Sequence, residues 1–281
     1  MEPGAGAQHA GPIAFVLGGG GVAGSVQVGM LEALADADVE PDLILGTSIG
    51  AINGAVVAAR PGPDGVAALA ALWRGLADAT GDTLVDRLRR LARTGTHIED
   101  SSWLRGPLEE TIGVDTFEEL ARPFQCVAAS IERAAPRWFS EGPLVDAILA
   151  SSAVPGLFAP VQIGGEHFLD GGLVHSIPLG RAIELGASTI YALQVGRIET
   201  PLSVPNRPWE VASVAFEIAR RHRFVEELEG APTDVVVHVL PTGAPIGPAD
   251  ASSLRYRDAA GAVDRMRAAH SASADYLADS A

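Results

Sequence analysis

The run Ile13-Ala14-Phe15-Val16-Leu17 passes directly into Gly18-Gly19-Gly20-Gly21 and then into a helix-periodic segment, residues 22–37. An apolar strand that feeds a helix through glycines opens a β-α-β unit, and Leu43-Ile44-Leu45-Gly46 supplies the second strand after the turn at 39–42. A second helical segment, 49–60, follows at once, and the Pro-Gly-Pro-Asp-Gly stretch at 61–65 ends it. Its Gly50, Ala51, Gly54 and Ala55 would let it approach neighbouring backbone closely.

The pattern continues to the C-terminal end. Residues 66–121 look helical and surface-rich, with breaks expected at Gly81, Gly95, Pro107 and Gly113, and read as a cap-like insertion. Strands follow at 124–130 and 136–140, a helix at 143–154, and a hairpin at 161–172 whose turn is Gly164-Gly165. Beyond it come a helix at 177–187, a strand at 188–196, a long helix at 211–230, a strand at 233–241 and a last helix at 258–278. Apolar strands that alternate with helices imply an α/β fold whose largely parallel sheet is covered on both faces. The composition agrees, with 47% hydrophobic but only 5% aromatic residues.

Charge and composition remove several function classes. Twenty basic residues, all arginine, stand against 35 acidic ones, giving a net charge of −15 that repels nucleic-acid phosphates. The single cysteine, Cys126, has no intrachain partner and reads as a buried strand residue. No zinc-type Cys/His spacing, EF-hand loop or P-loop is present, so neither a metal nor a cofactor is expected. The uncharged stretches 10–31 and 43–59 are interrupted by glycines and polar residues, and read as strand, turn and helix rather than as membrane spans. The first 12 residues carry Glu2 and neither Lys nor Arg, which departs from a secretory leader and points to the cytoplasm.

The chemistry concentrates at two strand-to-helix turns and one hairpin exit. Gly46-Thr47-Ser48-Ile49-Gly50 lies where a strand turns abruptly into a helix, the setting in which a serine can project its hydroxyl from the sheet edge. In a chain with 32 glycines the string G-x-S-x-G alone is weak, and its placement gives it weight. Gly18–Gly21 with Gly24 lies in the other such turn, where free backbone N–H groups can hold an anion. That anion could be an oxyanion or, because Gly19, Gly21 and Gly24 also satisfy G-x-G-x-x-G, a dinucleotide pyrophosphate. A dinucleotide site calls for an acid at the end of the second strand, where this chain has Leu45-Gly46-Thr47-Ser48. Finally, Asp170-Gly171-Gly172 follows a strand and can present a carboxylate, the kind of base a serine hydroxyl needs.

Taken in order, the glycine loop, the Gly46–Gly50 elbow and the Asp170-Gly171-Gly172 turn resemble the patatin-like phospholipase family over roughly residues 13–190. The flanking phrases PDLILGTSIGAINGA, ASSAVPGLFAPVQIGGEHFLDGG and IPLGRAIELGA share in the resemblance. It implies a three-layer αβα sandwich with 13–190 as the catalytic core, and with 191–281 completing the same domain. It also implies a lipid acyl hydrolase with Ser48 as nucleophile, Asp170 as its direct base, and Gly19, Gly20 and Gly21 as the oxyanion hole. Gly24, Gly46, Gly50, Gly171 and Gly172 support these motifs. One departure is that the family usually carries Arg or Lys where this sequence has Ala23, so lower activity, altered substrate choice or lipid binding alone would follow.

Two further readings stay open from sequence. A Ser-His-Asp esterase would draw its histidine from His175, His222, His238 or His270, and His175 could instead orient Asp170. The segment 84–93, with Leu84, Leu88 and Leu91 on one stripe amid four arginines, could lie peripherally on an anionic lipid surface or dock as a solvated helix. The acyl donor, lipid or small ester, and the oligomeric state are not legible.

Overall fold

Five strands of one sheet run parallel: β1 (Ile13–Leu17), β2 (Leu43–Thr47), β3 (Phe124–Ser130), β7 (Thr189–Leu193) and β8 (Val236–Val239). The computed structural model describes residues 11–78, 102–195, 198, 201–206, 208–243 and 260–280. Across the sheet these five lie in the order β3-β2-β1-β7-β8. Three antiparallel strands extend it at the β3 end: β4 (Ala135–Phe139), β5 (Val161–Ile163) and β6 (Glu166–Asp170). Gly164 and Gly165, at φ 59° and 87°, form the turn between β5 and β6, a left-handed pair that side chains with a Cβ resist.

Helices cover both faces, which makes three layers. Alternation along β1 sends Phe15 and Leu17 to one face, against α1 (Ser25–Asp36), α2 (Ile49–Ala59), α3 (Pro63–Asp78), α4 (Ser102–Ile112) and α5 (Leu144–Ser151). Ala14 and Val16 turn to the other, against Leu179 and Ala182 of α6 (Leu179–Glu184) and Phe224 of α7 (Pro208–Glu229). The last helix, α8 (Ala260–Ser280), packs on α1 at Gly29, where an added Cβ would stand 2.0 Å from the Met266 carbonyl oxygen.

Both uncharged stretches resolve into strand, turn and helix, and among the described residues no helix is long and apolar enough to cross a membrane. Cys126 is buried in β3, and burial raises its thiol pKa. The expected break at Pro107 is a correction, because Pro107 lies inside α4. Leu104, Leu108 and Ile112 are buried on one stripe of that helix, and their burial offsets a local cost of about 3 kcal/mol. Gly113, at φ 77°, is where α4 does end. The basic segment 84–93 lies outside the described residues, as do Gly81 and Gly95.

Candidate active site

β3 positions the site. The end of β2 pairs Thr47 with Val127 of β3, and the end of β6 pairs Asp170 with the next residue, Ala128. Two strands arriving from opposite directions therefore finish at adjacent positions of the same strand, and Ser48 and Asp170 leave their ends toward each other. Ser48 Oγ donates to Asp170 Oδ2 at 2.5 Å, with both residues buried, at 4% and 3% exposure.

Ser48 sits in the sharp turn between β2 and α2 at φ 56°, ψ −124°, a conformation that costs a non-glycine residue on the order of 1–3 kcal/mol. Surrounding contacts hold it there. Its N–H donates to Ser151 Oγ at 2.9 Å, and its carbonyl accepts from Ser152 Oγ at 3.1 Å and from the N–H of Ala51 at 2.9 Å. Gly46 and Gly50 relieve the crowding: a Cβ at Gly50 would lie 2.1 Å from the Leu17 carbonyl oxygen, and one at Gly46 would lie 2.5 Å from that of Gly50.

Asp170 caps the short 3-10 turn Gly171–Leu173, where its Oδ1 accepts from Gly172 N–H at 2.7 Å. A Cβ at Gly171 would stand 2.0 Å from the Val127 carbonyl oxygen, so the turn can seat this closely on β3. Desolvation pushes the Asp170 carboxyl up to about 6, against the lowering pull of Ser48, the Gly172 amide and the Arg220 charge. The result is a carboxylate that is ionised at neutral pH yet holds a proton far better than an exposed aspartate.

The glycine loop lies against Ser48, and a Cβ at Gly19 would be 3.1 Å from the Ser48 Cβ. The polar groups at its two ends are tied down. Gly18 N–H donates to the Leu193 carbonyl at 3.1 Å and Gly19 N–H to the Ser176 carbonyl at 2.9 Å. Gln27 Nε2 donates to the carbonyls of Gly18 and Leu193, both at 2.8 Å. Asn53 Nδ2 reaches the Gly24 carbonyl at 3.0 Å and Gln27 Oε1 at 2.7 Å, while Trp73 Nε1 donates to Asn53 Oδ1 at 3.1 Å. Gly20 and Gly21 follow with the 3-10 turn Gly21–Gly24 that leads into α1, and Ala23 is buried within that turn.

The side-chain partner of Ser48 Oγ is Asp170, and the four histidines pair elsewhere. His175 Nδ1 pairs with Glu227 Oε1 at 3.2 Å and its ring lies beside Trp138, while only its backbone touches the site, accepting from Thr47 Oγ1 at 2.7 Å. His222 pairs with Glu226, His238 stacks on Tyr191, and His270 pairs with Asp36. Among the described residues no cluster of His, Cys, Asp and Glu could hold a metal ion.

Sequence reasoning missed Ser151, Ser152, Ser176, Gln27 and Arg220. Ser151 and Ser152 lie within the quoted phrase ASSAVPG, and nothing in their spacing shows that they reach the elbow. Arg220 lies 172 residues beyond Ser48 and in sequence belongs to the run Arg220-Arg221-His222-Arg223 on a polar helix.

A serine in a strained strand-to-helix turn, hydrogen-bonded to a buried carboxylate beside a glycine loop, has the setting of a nucleophile elbow at the edge of an α/β sheet. The profile of the family described as patatin-like phospholipase matches residues 15–183, and the chain belongs to that family. "Lysophospholipase nte1" of Aspergillus terreus is 30% identical over 195 residues, 66% of this chain and 12% of the relative. "Patatin-like phospholipase domain-containing protein 7" of Rattus norvegicus is 31% identical over 194 residues, 68% of this chain and 14% of the relative. The match thus spans only 12–14% of the length of these relatives. Among solved structures, VipD from Legionella pneumophila aligns with a TM-score of 0.45 at 14% identity, over 93% of this chain and 67% of its own.

Proposed function

We propose that the protein hydrolyses carboxylic ester bonds of lipids through an acyl-Ser48 intermediate, with Asp170 as the proton acceptor. The observation that carries this reading is the buried 2.5 Å hydrogen bond from Ser48 Oγ to Asp170 Oδ2, in a turn that strains Ser48. Asp170 takes the hydroxyl proton as Ser48 Oγ attacks the ester carbonyl, then gives it to the departing alcohol oxygen. Water then attacks the acyl group, Asp170 accepts its proton, and that proton returns to Ser48 Oγ. A carboxyl pushed up to about 6 suits both directions of transfer near neutral pH.

The glycine loop is the oxyanion hole in this reading. Of Gly19, Gly20 and Gly21, the first has its N–H engaged by Ser176, so Gly20 and Gly21 are the donors. Each such donor is commonly worth on the order of 3 kcal/mol in the transition state. Residues 13–190 are assigned to the catalytic core, 66–121 to a cap-like insertion whose described helices α3 and α4 share a hydrophobic core with the sheet, and 191–281 to the remainder of the same domain. The pairing of β8 with β7 and the packing of α8 on α1 support that last assignment.

The names of the relatives support lysophospholipids and phospholipids as the acyl donors to test first. A panel of phospholipids, lysophospholipids, triacylglycerols and short esters, with products identified by mass spectrometry, should give free fatty acid from the wild type and none from Ser48→Ala. Folded wild type that releases no acid from any of them overturns the proposal.

A further inference from the structure

Residues 10–31, the glycine loop included, contain no charged side chain. A positive charge nevertheless stands directly behind the loop. Arg220 of α7 is 5% exposed at its side chain, and three of its nitrogens are engaged. Nη2 donates to the Gly19 carbonyl at 2.7 Å, Nε to Ser176 Oγ at 2.5 Å, and Nη1 to Glu217 Oε1 at 2.8 Å. Burying a guanidinium is unfavourable unless it is paired and fully hydrogen-bonded, and Glu217, itself 3% exposed, makes the burial tolerable.

Both polar groups of Gly19 converge on this arginine. Its carbonyl is bonded to Arg220 directly, and its N–H donates to the carbonyl of Ser176, whose hydroxyl Arg220 also holds. Because the peptide between Gly19 and Gly20 is planar and trans, fixing the Gly19 carbonyl toward Arg220 points the Gly20 N–H the opposite way. Drawing density from that carbonyl also makes the Gly20 N–H a stronger donor.

We infer that Arg220 is a positioning residue for the hydrolysis: from a distant helix it aims the Gly20 N–H at the substrate oxyanion and turns the positive end of its ion pair with Glu217 toward the loop. This rests on the reading of Ser48 and Asp170 given above. The Arg220 charge also acts on Asp170, where it favours the ionised carboxylate. It therefore supports both the acceptor of the proton and the donor to the oxyanion without touching substrate.

The test compares wild type, Arg220→Met, Arg220→Lys, Ser176→Ala and the exposed control Arg223→Met in the full chain. Turnover of p-nitrophenyl butyrate is followed from pH 4.5 to 9, with folding checked by circular dichroism and thermal melting. Arg220→Met is expected to lower kcat at least about 100-fold, the scale of a lost oxyanion donor, with KM changed less than about threefold. Its acid limb should move to higher pH, because the cation favouring ionised Asp170 is gone. Arg220→Lys should keep the limb in place but recover little of kcat, since one ammonium cannot reproduce the three-way fork. Arg223→Met should match the wild type.

Folded Arg220→Met with kcat within threefold of wild type and an unmoved limb overturns the inference while leaving the Ser48 reading intact. Should Arg220→Met not fold, Arg220→Lys and Ser176→Ala decide, and kcat within threefold of wild type in both overturns it equally. A wild type that neither turns over ester nor reacts with a fluorophosphonate removes the Ser48 reading, and the role of Arg220 with it.

Discussion

Val127 and Ala128 are adjacent on β3, and the first pairs with the residue before Ser48 while the second pairs with Asp170 itself. One step along a single strand thus sets the spacing between a hydroxyl and the carboxylate that would take its proton. Neither residue depends on a flexible loop to find the other, since each leaves the end of a paired strand. The hydrogen bond of 2.5 Å between them is a consequence of sheet register.

The pH dependence of turnover follows from Asp170. A carboxyl raised to about 6 is protonated, and so unable to accept a proton, below that pH. The kcat/KM profile is expected to fall on the acid side with a midpoint near pH 6, measured with an ester whose own ionisation is constant over that range. A midpoint near 4, that of an exposed carboxylate, would mean that Asp170 is not the titrating base.

The same shift has a stability consequence of opposite sign. The folded-state pKa of Asp170, about 6, lies above its ordinary 3.8, so the folded protein binds the proton more tightly than the unfolded chain does. The ionised carboxylate therefore detracts from stability above pH 6, by on the order of 2–3 kcal/mol, and that cost fades as pH falls toward 4. Asp170→Asn should be inactive but melt higher than the wild type at pH 8, with the difference shrinking by pH 4.5. Equal melting temperatures at both pH values would argue against a buried, strained charge.

Ser151 accepts from the N–H of Ser48, and Ser152 donates to its carbonyl. Replacing Ser151 by alanine leaves a buried N–H without that acceptor, at a cost of about 1–3 kcal/mol. It also frees the elbow to relax from its positive φ. We expect Ser151→Ala to lose that much stability in urea titrations, and to lose turnover at least tenfold with KM little changed.

Gln27 joins the carbonyls of Gly18 and Leu193 and receives Asn53, all within the core. Gln27→Met keeps the volume but leaves two carbonyls and the Asn53 amide short of partners. A loss of about 2–4 kcal/mol in urea titrations is the expected outcome, with turnover reduced in parallel because the loop loses its anchor.

The sheet and its helices were legible because apolar strands and helix-period segments differ in pattern, and glycines marked the turns between them. Ser48 and Asp170 were legible for the same reason, since each lies at a punctuated strand end. Pro107 misled because its local preference was outweighed by Leu104 and Leu108, whose burial only the tertiary structure provides. Arg220, Ser151 and Ser176 carry no local signal at all. Their part in the site comes from packing between elements far apart in sequence, and a basic residue on a polar helix looks solvated until the helix is docked.

The pairing of Ser48 with Asp170 is tested most directly by fluorophosphonate labelling at pH 8, with the adduct mapped by peptide mass spectrometry. The wild type is expected to carry one adduct, on Ser48, and Asp170→Asn to label about a thousandfold more slowly while remaining folded, the scale of a lost general base. An adduct on another residue, or labelling of Asp170→Asn at the wild-type rate, would contradict the dyad.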